Sequence, residues 1–412
     1  MPLTPALPAR AWLTVALLWV VGSLNYLDRV MISTMRGSLK EAIPMTEAQF
    51  GLLTTVFLLV YAGLSPFAGF LADRFNRSRV IIGSLFFWSF VTWLTAHAKT
   101  YDQLLLTRAL MGISEACYIP AAVALIADYH RGPTRSLANG VHLSGVMVGS
   151  ALGGVGGWLA ERHGWAYSFN LFGLVGIGYG LVLLFLLRSP AVPLATTVDP
   201  GATALRNIRF GAAIASLMRR PVFVLALAYW GLLGVGSWAV MGWMPTYLNE
   251  HFHLSQGTAG LSATAYVNVS SLIGMLVGGA WADRWSRTNE RGRILVPVIG
   301  LCFASPAILF ASTTPVLGVA LVALVCYGLA RSFADANMMP ILCLISDPRY
   351  RATGYGVLNF LACVVGGLTI YVGGMLRDAE VDISRIFQFA SGTIAICALI
   401  LCFVKPLPEA KQ

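Results

Sequence analysis

The chain has 412 residues, of which 57% are apolar and only 11% charged, with a mean hydropathy of +0.73. An ordinary soluble domain carries about 25% charged residues, so this composition excludes a water-soluble globule and indicates a polytopic helical membrane protein. The formal net charge of +10 does not indicate nucleic-acid binding, because the basic residues fall in short loops rather than along one helical stripe.

Apolar runs of about 20 residues are long enough to cross a bilayer as helices. They predict spans over 11–36, 48–72, 79–97, 101–127, 134–159 and 165–187, then over 221–247, 257–282, 292–312, 315–343, 351–376 and 383–404. The first run lacks a small-residue cleavage site, so it is expected to be retained. The expected division is a six-helix bundle over 1–188, a polar cytoplasmic linker over 189–220 with Pro190, Pro193 and Pro200 early in it, and a second bundle over 221–412. Lys and Arg crowd one set of loops, which by the positive-inside rule puts both termini and the linker in the cytoplasm. The seven cysteines form no CxxC or metal spacing, and there is no P-loop, GxSxG or HExxH pattern. No enzyme activity, cofactor or metal site is therefore expected.

The first predicted span carries Asn25-Tyr26-Leu27-Asp28-Arg29. Charges inside a membrane helix cost roughly 2.5–3.5 kcal/mol each on insertion scales and persist where they meet a partner or a wet cavity. Asn25, Asp28 and Arg29 fall at i, i+3 and i+4 and are expected to share one cavity-facing side. Arg108, Gly112 and Glu115 do the same in the fourth span, and Arg331 and Asp335 in the tenth either satisfy each other at i, i+4 or face a solute. His142 is read as a packed neutral histidine or a proton site; Trp243 and Tyr327 are read as packing or cavity residues.

The halves repeat. Gly69-Phe-Leu-Ala-Asp73-Arg74-Phe-Asn-Arg77 recurs 210 residues later as Gly279-Ala-Trp-Ala-Asp283-Arg284-Trp-Ser-Arg287, and Glu115 and Pro120 match Asp335 and Pro340. Two parallel six-helix repeats with a solute site between them are a transporter architecture. The repeated loop resembles the signature of the major facilitator superfamily. That resemblance implies a cytoplasmic gate made by Asp73, Arg74, Arg77, Asp283, Arg284 and Arg287. An acid at the positive end of one helix beside Arg at another makes an interlock that rocking breaks.

More narrowly, the Asn25–Arg29 stretch, Tyr61, Arg108-xxx-Gly112-xx-Glu115-Ala116 and Gly356-Val-Leu-Asn359-Phe360 resemble the anion:cation symporter branch. The resemblance implies protonation at Asp28 and Glu115, and anion binding by Arg29, Tyr61 and Asn359. Tyr26, Arg108 and Arg331 join the expected binding set. Val146 stands where sugar-acid carriers of that branch often have an amide, which favours a smaller or more apolar carboxylate. The first and fourth spans also resemble the Spinster-like branch, whose members imply a lysolipid or sphingolipid as the alternative cargo. The expectation is a monomer in a bacterial inner membrane that couples protons to a small organic anion. An anion that engages Arg29 or Arg108 withdraws the cation from a neighbouring acid, which then takes a proton, so the two bind cooperatively.

Overall fold

The computed structural model describes residues 9–130, 134–189, 210–289, 291–346 and 351–404, without the side chains of 66, 69–74, 136, 210, 212, 213, 351 and 352. Twelve helices in it are long and apolar enough to cross a membrane. They are Ala9–Thr34, Glu47–Arg74, Arg77–Thr95, Tyr101–Tyr129, Arg135–His163, Trp165–Leu186, Pro221–His251, Gln256–Ser286, Gly292–Thr313, Leu317–Ile345, Arg351–Asp378 and Ser384–Phe403. They are called the first to the twelfth span.

Two local differences from the sequence reading have plain causes. The fourth span is two helices, Tyr101–Glu115 and Tyr118–Tyr129. Pro120 has no N–H to give the carbonyl of Ala116 and its ring crowds that carbonyl, so the helix breaks directly after Glu115. At the break the Ser114 carbonyl accepts from Cys117 N at 3.4 Å and from the Ser84 hydroxyl. The expected linker also contains a short helix, Phe210–Met218, whose Leu217 is buried; residues 190–209 lie outside the described residues.

The packing repeats as the sequence does. The first span packs on the fifth, the third on the sixth and the second on the fourth. Correspondingly, the seventh packs on the eleventh, the ninth on the twelfth and the eighth on the tenth. The two halves meet along two seams, second span against eleventh and fifth against eighth. Small residues make these approaches possible. A Cβ added to Gly149 would lie 2.1 Å from the Ser23 carbonyl oxygen on the first span, and one on Gly374 would lie 2.3 Å from the Glu47 carbonyl oxygen across a seam.

An even number of spans puts residues 9 and 404 at one end of the molecule, the near end. Among the described residues, the hydrogen bonds and ion pairs between halves lie toward the other, far end. They include Thr55 Oγ1 to Gly367 O (2.6 Å), Thr264 Oγ1 to Ala151 O (2.9 Å), Ser38 N to Gln256 Oε1 (2.9 Å) and Arg36 to Glu250 (3.0 Å). The molecule is thus closed at the far end, and its central cavity lies on the near side of that closure.

Gly149→Ala drives a methyl group into the backbone of the first span and is expected to cost about 1–3 kcal/mol, as overpacking does. Gly140→Ala, on the same helix where an added methyl meets open space, should not destabilise. Thermal unfolding of the two purified variants checks the pair.

Candidate functional site

A cavity of about 160 Å³ lies between the halves. Tyr26 and Arg29 of the first span and Tyr61 of the second form its wall on one side; Trp230, Ser237 and Trp238 of the seventh, Arg331 of the tenth and Asn359 and Cys363 of the eleventh form the other. A second compartment of about 130 Å³ shares Tyr26, Ser237 and Arg331 with it. Val30, Met147, Val240, Met241 and Val267 make that compartment largely apolar, and Tyr327 and Asp335 border it.

Arg29 is the pivot. Its Nη2 and Nε donate to Glu115 Oε2 at 2.8 and 3.3 Å. Its guanidinium carbon lies 4.4, 4.9 and 4.7 Å from the ring centres of Tyr26, Phe57 and Tyr61, within cation–π range. Behind it, Glu115 is fully buried at the helix break. On the opposite wall, Arg331 makes a bidentate pair with Asp335, 2.7 and 3.0 Å, the geometry in which a guanidinium fork matches a carboxylate. Each half therefore brings one guanidinium to the cavity with one carboxylate bonded to it. The two carboxylates, Glu115 and Asp335, are those that the sequence repeat aligns.

Several expected cavity residues lie elsewhere. Asp28 is 2% exposed and accepts from Thr92 Oγ1 of the third span at 3.2 Å, so it does not border the cavity. Successive helical residues point about 100° apart; the rotation that turns Arg29 toward the other half turns Asp28 into its own bundle. Arg108 is likewise sealed in the N-terminal half. Its guanidinium lies 5.7 Å from the Phe169 ring, donates to the Met111 sulfur and is within electrostatic reach of Asp28 and Glu115. Two buried acids and two buried bases thus balance inside one half. Glu115 itself reaches the cavity only through Arg29. His142 is fully buried against Tyr118 and Gly22. Trp243 is fully buried in the far-end seam, donating to Ile370 O at 3.2 Å. It lies five residues beyond Trp238, about 140° round the helix, which takes it off the cavity face.

Of the expected gate residues, Arg77 and Asp283 have ion-pair partners among the described residues. Arg77 pairs with Asp128 and Asp283 with Arg293 (3.1 Å), each within its own half. Arg284 and Arg287 are exposed, and the side chains of Asp73 and Arg74 lie outside the described residues. Sequence reasoning passed over Trp230, Ser237, Trp238 and Cys363. The first three recur at i, i+7 and i+8, a one-sided pattern that pointed to a common face.

Comparison with known proteins places this geometry. The Major Facilitator Superfamily model matches residues 18–370 and, in a second match, 231–412. An "MFS-type efflux pump" of Mycolicibacterium smegmatis is 28% identical over 381 residues, 91% of this chain and 86% of that one. The mouse "Sphingosine-1-phosphate transporter SPNS2" is 26% identical over 418 residues, 94% of this chain and 73% of that one. A solved structure of a bacterial homolog to the human lysosomal transporter Spinster, inward-facing and unoccupied, superposes with a TM-score of 0.77 at 22% identity over 96% of both chains. The twelve-span fold is the one in that structure, and the chain belongs to the Major Facilitator Superfamily, an integral membrane transporter.

Proposed function

We propose that this transporter carries an amphipathic organic anion, a single negative head on one slim apolar chain, and couples its movement to protons by alternating access. The carrying observation is the continuity of two unlike compartments. One holds a guanidinium from each half among aromatic rings; the other, sharing Tyr26, Ser237 and Arg331, is walled by Val30, Met147, Val240, Met241 and Val267. A charged head suits the first compartment because an Arg fork meets a carboxylate or phosphate through paired N–H bonds. An apolar chain suits the second. A sphingosine-1-phosphate transporter among the relatives supports this reading. The resemblance of Asn25–Arg29 and Asn359 to anion:cation symporters supports the anion and, as the second reading, a short carboxylate without a tail.

The proton enters through Glu115. It is fully buried and held by Arg29. A solute anion that draws Arg29 toward the cavity leaves that carboxylate as an unpaired buried charge, and losing one partner of a buried pair costs about 3–5 kcal/mol. A proton on Glu115 removes that cost, so anion and proton bind together. Asp28 serves the same buried cluster from behind, with Arg108 its compensating base. The Lys and Arg bias of the loops supports a cytoplasmic near end, and with it a cytoplasmic opening; the membrane of this reading is a bacterial inner membrane.

Two measurements test the reading. Thermal-shift titration with single-chain lipids bearing phosphate heads should raise the melting temperature, since a ligand stabilises the state it binds. Short carboxylates should shift it far less; equal shifts from both select the tail-free carboxylate. Arg29→Gln should weaken the lipid shift about tenfold or more in concentration, the worth of a charged hydrogen bond; an unchanged titration removes Arg29 from the site. In vesicles, Glu115→Gln should abolish accumulation driven by a proton gradient while leaving solute exchange. Gradient-driven accumulation that survives in this variant rejects the coupling.

A further inference from the structure

The far-end closure contains a repeated device that none of the cavity chemistry uses. A helix begins with amide N–H groups that have no partner in their own backbone, and that end carries partial positive charge. The second span begins Thr46-Glu-Ala-Gln49 and the eighth begins Ser255-Gln-Gly-Thr258. In each, the leading hydroxyl accepts the amide three residues on: Gln49 N to Thr46 Oγ1 at 3.1 Å and Thr258 N to Ser255 Oγ at 3.3 Å. Both amides between in the second span, and that of Gly257 in the eighth, are bound from the other half of the molecule. Asp378, last residue of the eleventh span, accepts from Glu47 N and Ala48 N, both at 2.8 Å. Glu161, near the end of the fifth span, accepts from Gly257 N at 2.7 Å. These distances are those of charge-assisted bonds. The arrangement obeys the internal repeat, second span to eighth and fifth to eleventh.

Glycines set the required closeness. A Cβ on Gly51 would lie 2.7 Å from the Ile370 carbonyl oxygen, and one on Gly260 would lie 2.9 Å from the Thr34 side chain, both across the halves. The two locks differ in strength. Around Asp378, Arg377 pairs with Glu250 at 2.8 Å, Arg36 reaches Glu250 at 3.0 Å, and Arg36 and Lys40 hold Glu47. Around Glu161, Gln256 donates to Ser38 Oγ at 2.8 Å and to Gly157 O at 3.3 Å, and no ion pair joins the halves there among the described residues.

We propose that Asp378 and Glu161 are paired gate carboxylates that hold the far end shut, each by binding the free amides that begin a span of the opposite half. Opening the far end breaks both sets of bonds at once and returns the amides and carboxylates to water. The two residues position the halves and touch no solute, so the proposal is independent of what is carried.

Hydrogen–deuterium exchange on the intact protein in detergent micelles tests it. Asp378→Asn removes the charge and half of the accepting capacity. It should speed exchange about tenfold through 46–52 and 370–377, on the scale of a charged hydrogen bond. It should also slow exchange at the near ends of the fifth and eleventh spans, 137–143 and 354–360, as these close. Glu161→Gln should act in the same direction but more weakly, the double variant should exceed either, and Asp378→Glu should restore the wild-type pattern. The near-end protection is the deciding readout, because a frayed helix start alone cannot produce it. Faster exchange confined to residues 47 and 48, or near-end exchange unchanged in the double variant, overturns the proposal.

Discussion

The structure depends on a buried cation that cannot be left alone. Arg29 stands between two demands: three aromatic faces and Glu115 satisfy it from inside its own bundle, and one side of it opens on the cavity. The aromatic contacts are each worth about 0.5–2 kcal/mol and add to the hold that Glu115 has on the guanidinium. The break in the fourth span directly after Glu115 places that carboxylate at a helix end.

The two halves use one plan with different allocations. In the N-terminal half the carboxylate reaches Arg29 from another span, and a second acid and base, Asp28 and Arg108, fill the interior behind it. In the C-terminal half the acid and base sit one turn apart on a single helix, and both border the cavity. The first arrangement buries its charges in dry packing; the second keeps its pair partly wet.

Much of the fold was legible because a bilayer demands about 20 apolar residues per span, and that length signal survives any ambiguity of face. The ends of spans were less so, since caps and helix continuation into water decide them. The repeated Gly–Asp–Arg loop exposed the internal symmetry directly. Within the site, intramembrane charge pointed to Arg29, Arg331 and Asp335, which do border the cavity. It gave no means of telling Arg29 from Asp28, because neighbouring positions point only about 100° apart and both the cavity and the bundle interior accept charge. Trp243 and Arg108 show the same ambiguity. The apolar compartment was invisible for a different reason: Val30, Val240 and Val267 read alike whether they meet lipid, protein or a solute tail.

The lengths of the seventh and eighth spans carry a consequence of their own. Each has 31 residues, about 46 Å of helix at 1.5 Å per residue, against a hydrocarbon layer of about 30 Å. Moderate tilting absorbs only part of that excess, so Glu250 and its basic neighbours stand among hydrated headgroups and dissolved ions. There Debye screening reaches them, while Arg29 and Glu115 are shielded by surrounding protein. Ionic strength and headgroup charge thus act on the outer contacts far more than on the inner pair, and the composition of the surrounding membrane becomes a factor in how readily the molecule turns over.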